Sequence, residues 1–116
     1  IVMKLNGVEI PDIDVMDMNI REKIENEKEK IANKMNNMSN FKGTAIEKAK
    51  AICDDVSDFV SEIYGEDVSQ NIFKGKQNFR VALEVFEAIN DEIDRQDKEF
   101  NVYVDKVISR HKNGKK

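Results

Sequence analysis

The chain has 116 residues, 40% of them apolar and 36% charged, with one proline, one cysteine, one histidine and no tryptophan. That balance excludes a transmembrane protein, a disulfide scaffold, a collagen and a chain disordered throughout, and leaves one domain with one core. The net charge of −4 is uneven: residues 109–116 carry four Lys/Arg and no acid, so residues 1–108 sum to −8 and repel nucleic acid.

Ile1 and Val2 precede Met3-Lys4-Leu5, which reads as a natural start, and they are set aside. Asn6-Gly7, flanked by Leu5, Val8 and Ile10, predicts a β-hairpin, because a type I′ turn needs positive φ at both central residues. Pro11 ends its second arm. A two-stranded ribbon is marginal alone, so it must lie on a helix or on another chain. Residues 12–17 alternate polar and apolar, as an extended stretch or a lead-in to a helix.

Asn19 with Glu22 forms a candidate capping box for a first helix carrying Ile20, Ile24, Ile31, Met35 and Met38. Residues 25–30 contain no apolar side chain, so this helix is thin. A turn cluster spans residues 36–43. Thr44 with Glu47 then opens a second helix over 44–64. Its apolar stripe is Ala45, Ala49, Ile52, Val56, Phe59 and Ile63, widened by Ile46, Cys53 and Val60. Gly65 fits the position just past its end. Asp67 is placed to cap a short helix with Val68, Ile72 and Phe73, closed by Gly75.

A third main helix opens near residue 77 with Phe79, Ala82, Leu83, Phe86, Ile89 and Ile93. Its stripe skips at Gln96-Asp97 and resumes at Phe100, Tyr103 or Val104, and Val107. Nothing breaks residues 76–113, and 35 helical residues span ~50 Å, against a radius of gyration of ~13 Å for a compact 100-residue domain. The helix therefore bends around Asn90–Asp97 or projects. A projecting half exposes Phe100, Val102, Tyr103, Val104, Val107 and Ile108, which need cover from the N-terminal part or from another chain. The fold expected is mostly α. An N-terminal β-hairpin precedes three main helices and one short one, with the last helix long. Residues 3–108 form a single domain and 109–116 a basic flexible tail.

The inventory for catalysis is nearly empty, so no enzyme is expected. Cys53 lies on the apolar stripe of the second helix and reads as a small buried hydrophobe rather than a nucleophile, since the one histidine, His111, is in the basic tail. One Cys and one His cannot make a structural zinc site. Asp12, Asp14 and Asp17 lack the glycine and glutamate of a calcium loop, and Gly75-Lys76 lacks the rest of a P-loop. Glu25/Glu29 and Asp54/Asp58 read as solvated helix charges. No cofactor and no metal are expected. No apolar run approaches the ~20 residues of a membrane span, and a lone cysteine fits a reducing cytosolic compartment. The basic ending complements a helix C-terminal dipole more readily than it binds phosphate.

What remains is apolar helix surface and the segment from Phe59 to Phe79, in which Phe59, Tyr64, Phe73 and Phe79 surround Gly65 and Gly75. It reads as a helix, a tight corner, a short helix, another corner and a helix start. A corner of the core outweighs a ligand groove there.

The Met-Lys-Leu-Asn-Gly start, the charged first helix and this corner together resemble a family of small prophage proteins from Firmicutes. The corner is carried by Phe59, Ile63-Tyr64-Gly65-Glu66, Ile72-Phe73, Gly75-Lys76 and Asn78-Phe79. Tyr64 stands where Phe is usual in that pattern, and Lys74 where a second Gly is usual. Members are similar to tail assembly chaperones of long-tailed phages. The resemblance implies a host bacterial cytoplasmic protein that binds the tape measure protein and keeps it soluble until tail tube protein polymerises around it. The contact residues expected on that basis are Phe59, Ile63, Tyr64, Ile72, Phe73 and Phe79 of the corner, with Phe100 and Tyr103 of the last helix. Homo-oligomers are expected from the long helix and the ribbon edge. The alternative is a structural tail or connector component retained in the virion.

Overall fold

The computed structural model describes residues 3–114. Ile1 and Val2, and Lys115 and Lys116 at the end of the basic segment, lie outside the described residues. The elements are β1 (Met3–Leu5), β2 (Val8–Ile10), α1 (Met18–Asn36), a 3-10 turn (Met38–Asn40), α2 (Ala45–Tyr64), α3 (Glu66–Phe73) and α4 (Phe79–Gly114). This is the expected architecture: mostly helical, with a hairpin first and a long helix last.

The hairpin pairs Met3 with Ile10 and Leu5 with Val8 in antiparallel register. Asn6 and Gly7 take φ of 51° and 78°, the left-handed conformations the two-residue turn requires. Leu5 and Ile10 are buried. The Asn6 side-chain amide donates to the Ile72 carbonyl at 2.8 Å. It thereby satisfies one of the carbonyls that the end of α3 leaves free and seats the ribbon on that helix.

The lead-in buries Ile13 and Val15. Asp14 Oδ1 accepts from the Met16 amide at 3.0 Å, and Asp17 Oδ1 accepts from the Asn19 amide at 2.9 Å. The chain therefore turns into α1 at Met18, and Asp17, not Asn19, is its cap. α1 is thin as read: Ile24, Glu27 and Ile31 are its buried residues, and Glu27 pairs with Lys30 at 3.1 Å. Met38 falls in the 3-10 turn, beyond the helix.

α2 starts on the expected capping box. Thr44 Oγ1 accepts from the Glu47 amide at 3.2 Å, and Glu47 Oε1 accepts from the Thr44 amide at 3.2 Å. It buries Cys53, Val56, Phe59 and Val60. Gly65, at φ 102°, reverses the chain in one residue, so α3 begins at Glu66 and Asp67 sits inside its first turn rather than capping it. The Ser69 hydroxyl lies 3.2 Å from both the Ser57 hydroxyl and the Ser57 carbonyl, pinning α3 to α2. α3 closes through Lys74 in the left-handed region at φ 53°, followed by Gly75 at φ 71°.

α4 opens at Phe79 because Asn78 Oδ1 accepts from the Val81 amide at 3.2 Å. Ala82, Val85, Ile89 and Ile93 are buried in the body, and the Phe86 ring meets Phe59 edge to face at 5.4 Å. The helix projects. Every residue from Asn101 to Lys112 is exposed, and the molecule measures 63 × 34 × 19 Å. Its radius of gyration is 17.3 Å, against ~13 Å for a compact chain of similar length. Residues 109–114 continue α4. No proline intervenes, and Arg110, His111 and Lys112 complement the negative end of the helix dipole.

Candidate binding surface

The interruption of the α4 stripe at Gln96 and Asp97 is where the rest of the chain docks. Gln96 Nε2 donates to the Ile13 carbonyl at 2.7 Å, and Gln96 Oε1 accepts from the Val15 amide at 3.2 Å. One side-chain amide thus satisfies both backbone groups of the lead-in as a strand neighbour would. Glu92 Oε2 accepts from Gln96 Nε2 at 3.0 Å and from Arg95 at 2.8 Å. The hydrogen bonds from Arg95, with help from Gln96, hold the Glu92 carboxyl down to about 2. Asp97 pairs with Arg21 of α1 at 2.8 Å, and the Arg21 guanidinium lies 4.2 Å above the centre of the Phe100 ring. Arg21 therefore ties α1 to the root of the projecting arm.

Beyond that root none of the described residues covers the helix from Asn101 to Lys112. Phe100, Tyr103, Val104 and Val107 are spaced by three and four, which continues the stripe of Ile89 and Ile93. Tyr103 and Val107 are 59% and 66% exposed, and Val102 and Ile108 flank them, also exposed. At the root, Met16 and Met18 are exposed as well.

The eight residues expected to meet a partner do not form one surface. Phe59 and Ile72 are wholly buried. Phe59 packs against Phe86 of α4 and Ile72 faces the body from α3, so neither presents surface in this structure. Ile63, Tyr64 and Phe73 are half-buried against the same core. Phe79 is exposed at the start of α4, Phe100 is half-buried beneath Arg21, and Tyr103 stands on the open arm. The corner is thus mainly core. Beside it a cleft of about 310 Å³ is lined by Cys53, Ser69, Phe73, Lys76, Gln77 and Asn78, and Gln77 hydrogen-bonds to Asp54 at its edge. The Cys53 thiol is buried, and that burial, then the charge of Asp54, pushes its pKa up, away from a reactive thiolate.

Sequence reasoning did not single out Gln96, Asp97 and Arg21; the skip in the stripe was their signal. It also missed the exposed apolar group at the α1–α2 connection, Met35, Phe41 and Ile46. Among the described residues no three His, Cys, Asp or Glu side chains are grouped to hold a metal ion, and no helix is long and apolar enough to cross a membrane.

These features define a small helical protein with a bare apolar arm. The chain belongs to DUF6673, a family of unknown function whose model matches residues 6–116. No curated protein and no solved structure matches it.

Proposed function

We propose that the protein is a non-catalytic chaperone of phage tail assembly that holds the tape measure protein in the host bacterial cytoplasm until tail tube protein replaces it. The observation that carries this reading is the uncovered stripe of Tyr103, Val104 and Val107 on the arm, which continues from the half-buried Phe100. Three-and-four spacing is the pattern one helix offers to another, so the client it fits is an apolar helix laid alongside. Exposed Met16 and Met18 at the root add adaptable apolar surface. The acidic body keeps such a complex in solution. The phage setting comes from the resemblance carried by the corner at residues 59–79.

Co-expression with a tape measure protein of a long-tailed phage tests the proposal. The expected result is a soluble tape measure protein that co-purifies with the chain, and loss of both when Tyr103 and Val107 are changed to Glu. A tape measure protein that stays insoluble and uncomplexed beside the wild-type chain overturns it. Mass spectrometry of purified virions addresses the alternative, since a chaperone leaves the particle and a structural tail component is retained.

A further inference from the structure

We propose that the arm pairs antiparallel with the arm of a second copy of this chain, about a two-fold axis near Tyr103 and Val104. Ile89 and Ile93 point into the body, and Phe100, Tyr103 and Val107 repeat their three-and-four spacing. An α-helix drifts only ~20° per heptad from that repeat, so the bare stripe looks to the same side as the body. In a parallel pair with stripes facing, both bodies would lie on the stripe side at the same end and occupy the same space. Turned antiparallel, each body lies beside its own half of α4, and the partner's arm fills the open side of the other half.

Charge agrees with this direction. Residues 91–99 hold Asp91, Glu92, Asp94, Asp97 and Glu99 against Arg95 and Lys98, and stay acidic after Arg21 is counted with them. Residues 106–112 hold Lys106, Arg110, His111 and Lys112 and no acid. An axis near Tyr103 and Val104 sets the basic end of one copy against the acidic root of the other, with the helix dipoles opposed. A parallel pair stacks like on like.

The seam is small. Eighteen residues of helix give a contact ~27 Å long and ~10 Å wide, below the ~800 Å² per partner of a standard stable interface. The pair therefore forms and separates with concentration. On the client-holding reading, the second copy covers the stripe until a client helix takes its place. The pairing itself does not depend on that reading, and it is measured without any client.

Sedimentation of the full chain over a dilution series tests it. A monomer–dimer equilibrium is expected, weakened at least tenfold by Val107→Glu and severalfold by added salt. Arg110→Glu with Lys112→Glu should weaken it and remove most of the salt dependence. All three positions are exposed, so circular dichroism should report an unchanged fold. Crosslinking reads the direction in a Cys53→Ala background, where Val104→Cys chains should join to one another and His111→Cys chains should not. A chain that stays monomeric at every concentration overturns the proposal. A dimer indifferent to Val107→Glu, or one crosslinked through position 111, does the same. Client holding that persists in a strictly monomeric chain refutes the pairing and leaves the proposed function standing.

Discussion

The Tyr64 hydroxyl is buried with no hydrogen-bond partner among the described residues, and its pKa is pushed up to about 12, by burial first and then by the charges of Glu92 and Asp12. Lys74 holds φ 53°, a conformation that costs a side chain with a Cβ ~1–2 kcal/mol. At each of these two positions a simpler residue removes the local penalty. Tyr64→Phe deletes the unsatisfied hydroxyl and should gain up to ~1 kcal/mol. Lys74→Gly relieves the backbone, and after the greater unfolded-state freedom of glycine the net gain should be ~0.5–1 kcal/mol. Urea unfolding should show a higher midpoint at unchanged slope for each variant, and a loss at either site would mean the side chain has a contact that offsets its penalty. Glu92 supplies a pH dependence of known sign. Its folded value of about 2 lies below the ordinary 4.5, so the unfolded chain binds the extra proton between those limits. The stability it contributes is fully present above pH 4.5 and is lost as pH falls toward 2. Glu92→Gln should flatten the acid limb of the stability profile in that window and leave the neutral region parallel to wild type.

At the scale of elements, the features set by neighbouring residues were legible and those set by distant ones were not. Asn6-Gly7, the Thr44–Glu47 box and Gly65 each act through backbone conformation within a few residues, and each is found where the sequence pattern put it. The start of α1 was misread because Asn19 and Asp17 are both competent caps, and the preceding Asp14 turn decides between them. The corner residues were assigned to a partner because an apolar helix position looks the same whether its neighbour is the body or another chain. Phe59 and Ile72 face the body. Gln96 was legible only as a gap in a stripe, since its partners, Ile13 and Val15, lie far away in sequence. An amide is needed there because the site presents one carbonyl and one N–H. Gln96→Leu keeps the size and should cost ~1–3 kcal/mol by leaving both backbone groups unpaired. Gln96→Glu keeps the acceptor and loses the donor, and should fall between the two at neutral pH. Denaturant midpoints rank the three, and a Leu variant as stable as wild type would show that the lead-in is held by Ile13 and Val15 packing alone.

Considered whole, the molecule is a body whose core closes without its last third of helix. The core runs from the hairpin through Ile13, Val15, Ile24 and Ile31 to Phe59, Ile72, Ile89 and Ile93, and none of residues 101–112 joins it. Arg21, Asp97 and Phe100 form the seam at which body becomes arm. The described side chains lost from a chain ended after Asn101, residues 102–112, are all exposed, so body stability should stay within ~0.5 kcal/mol of wild type. Its radius of gyration by small-angle scattering should fall from 17.3 Å toward the ~13 Å of a compact domain. Self-association and client holding should both disappear from the shortened chain, because the surface assigned to each is gone while the fold remains. The opposite result has an equally definite meaning. A large loss of stability on ending the chain after Asn101 would place the arm against the body in solution, with Phe100, Tyr103 and Val107 covered from within. The open stripe on which both proposed interactions depend would then not exist in the free protein.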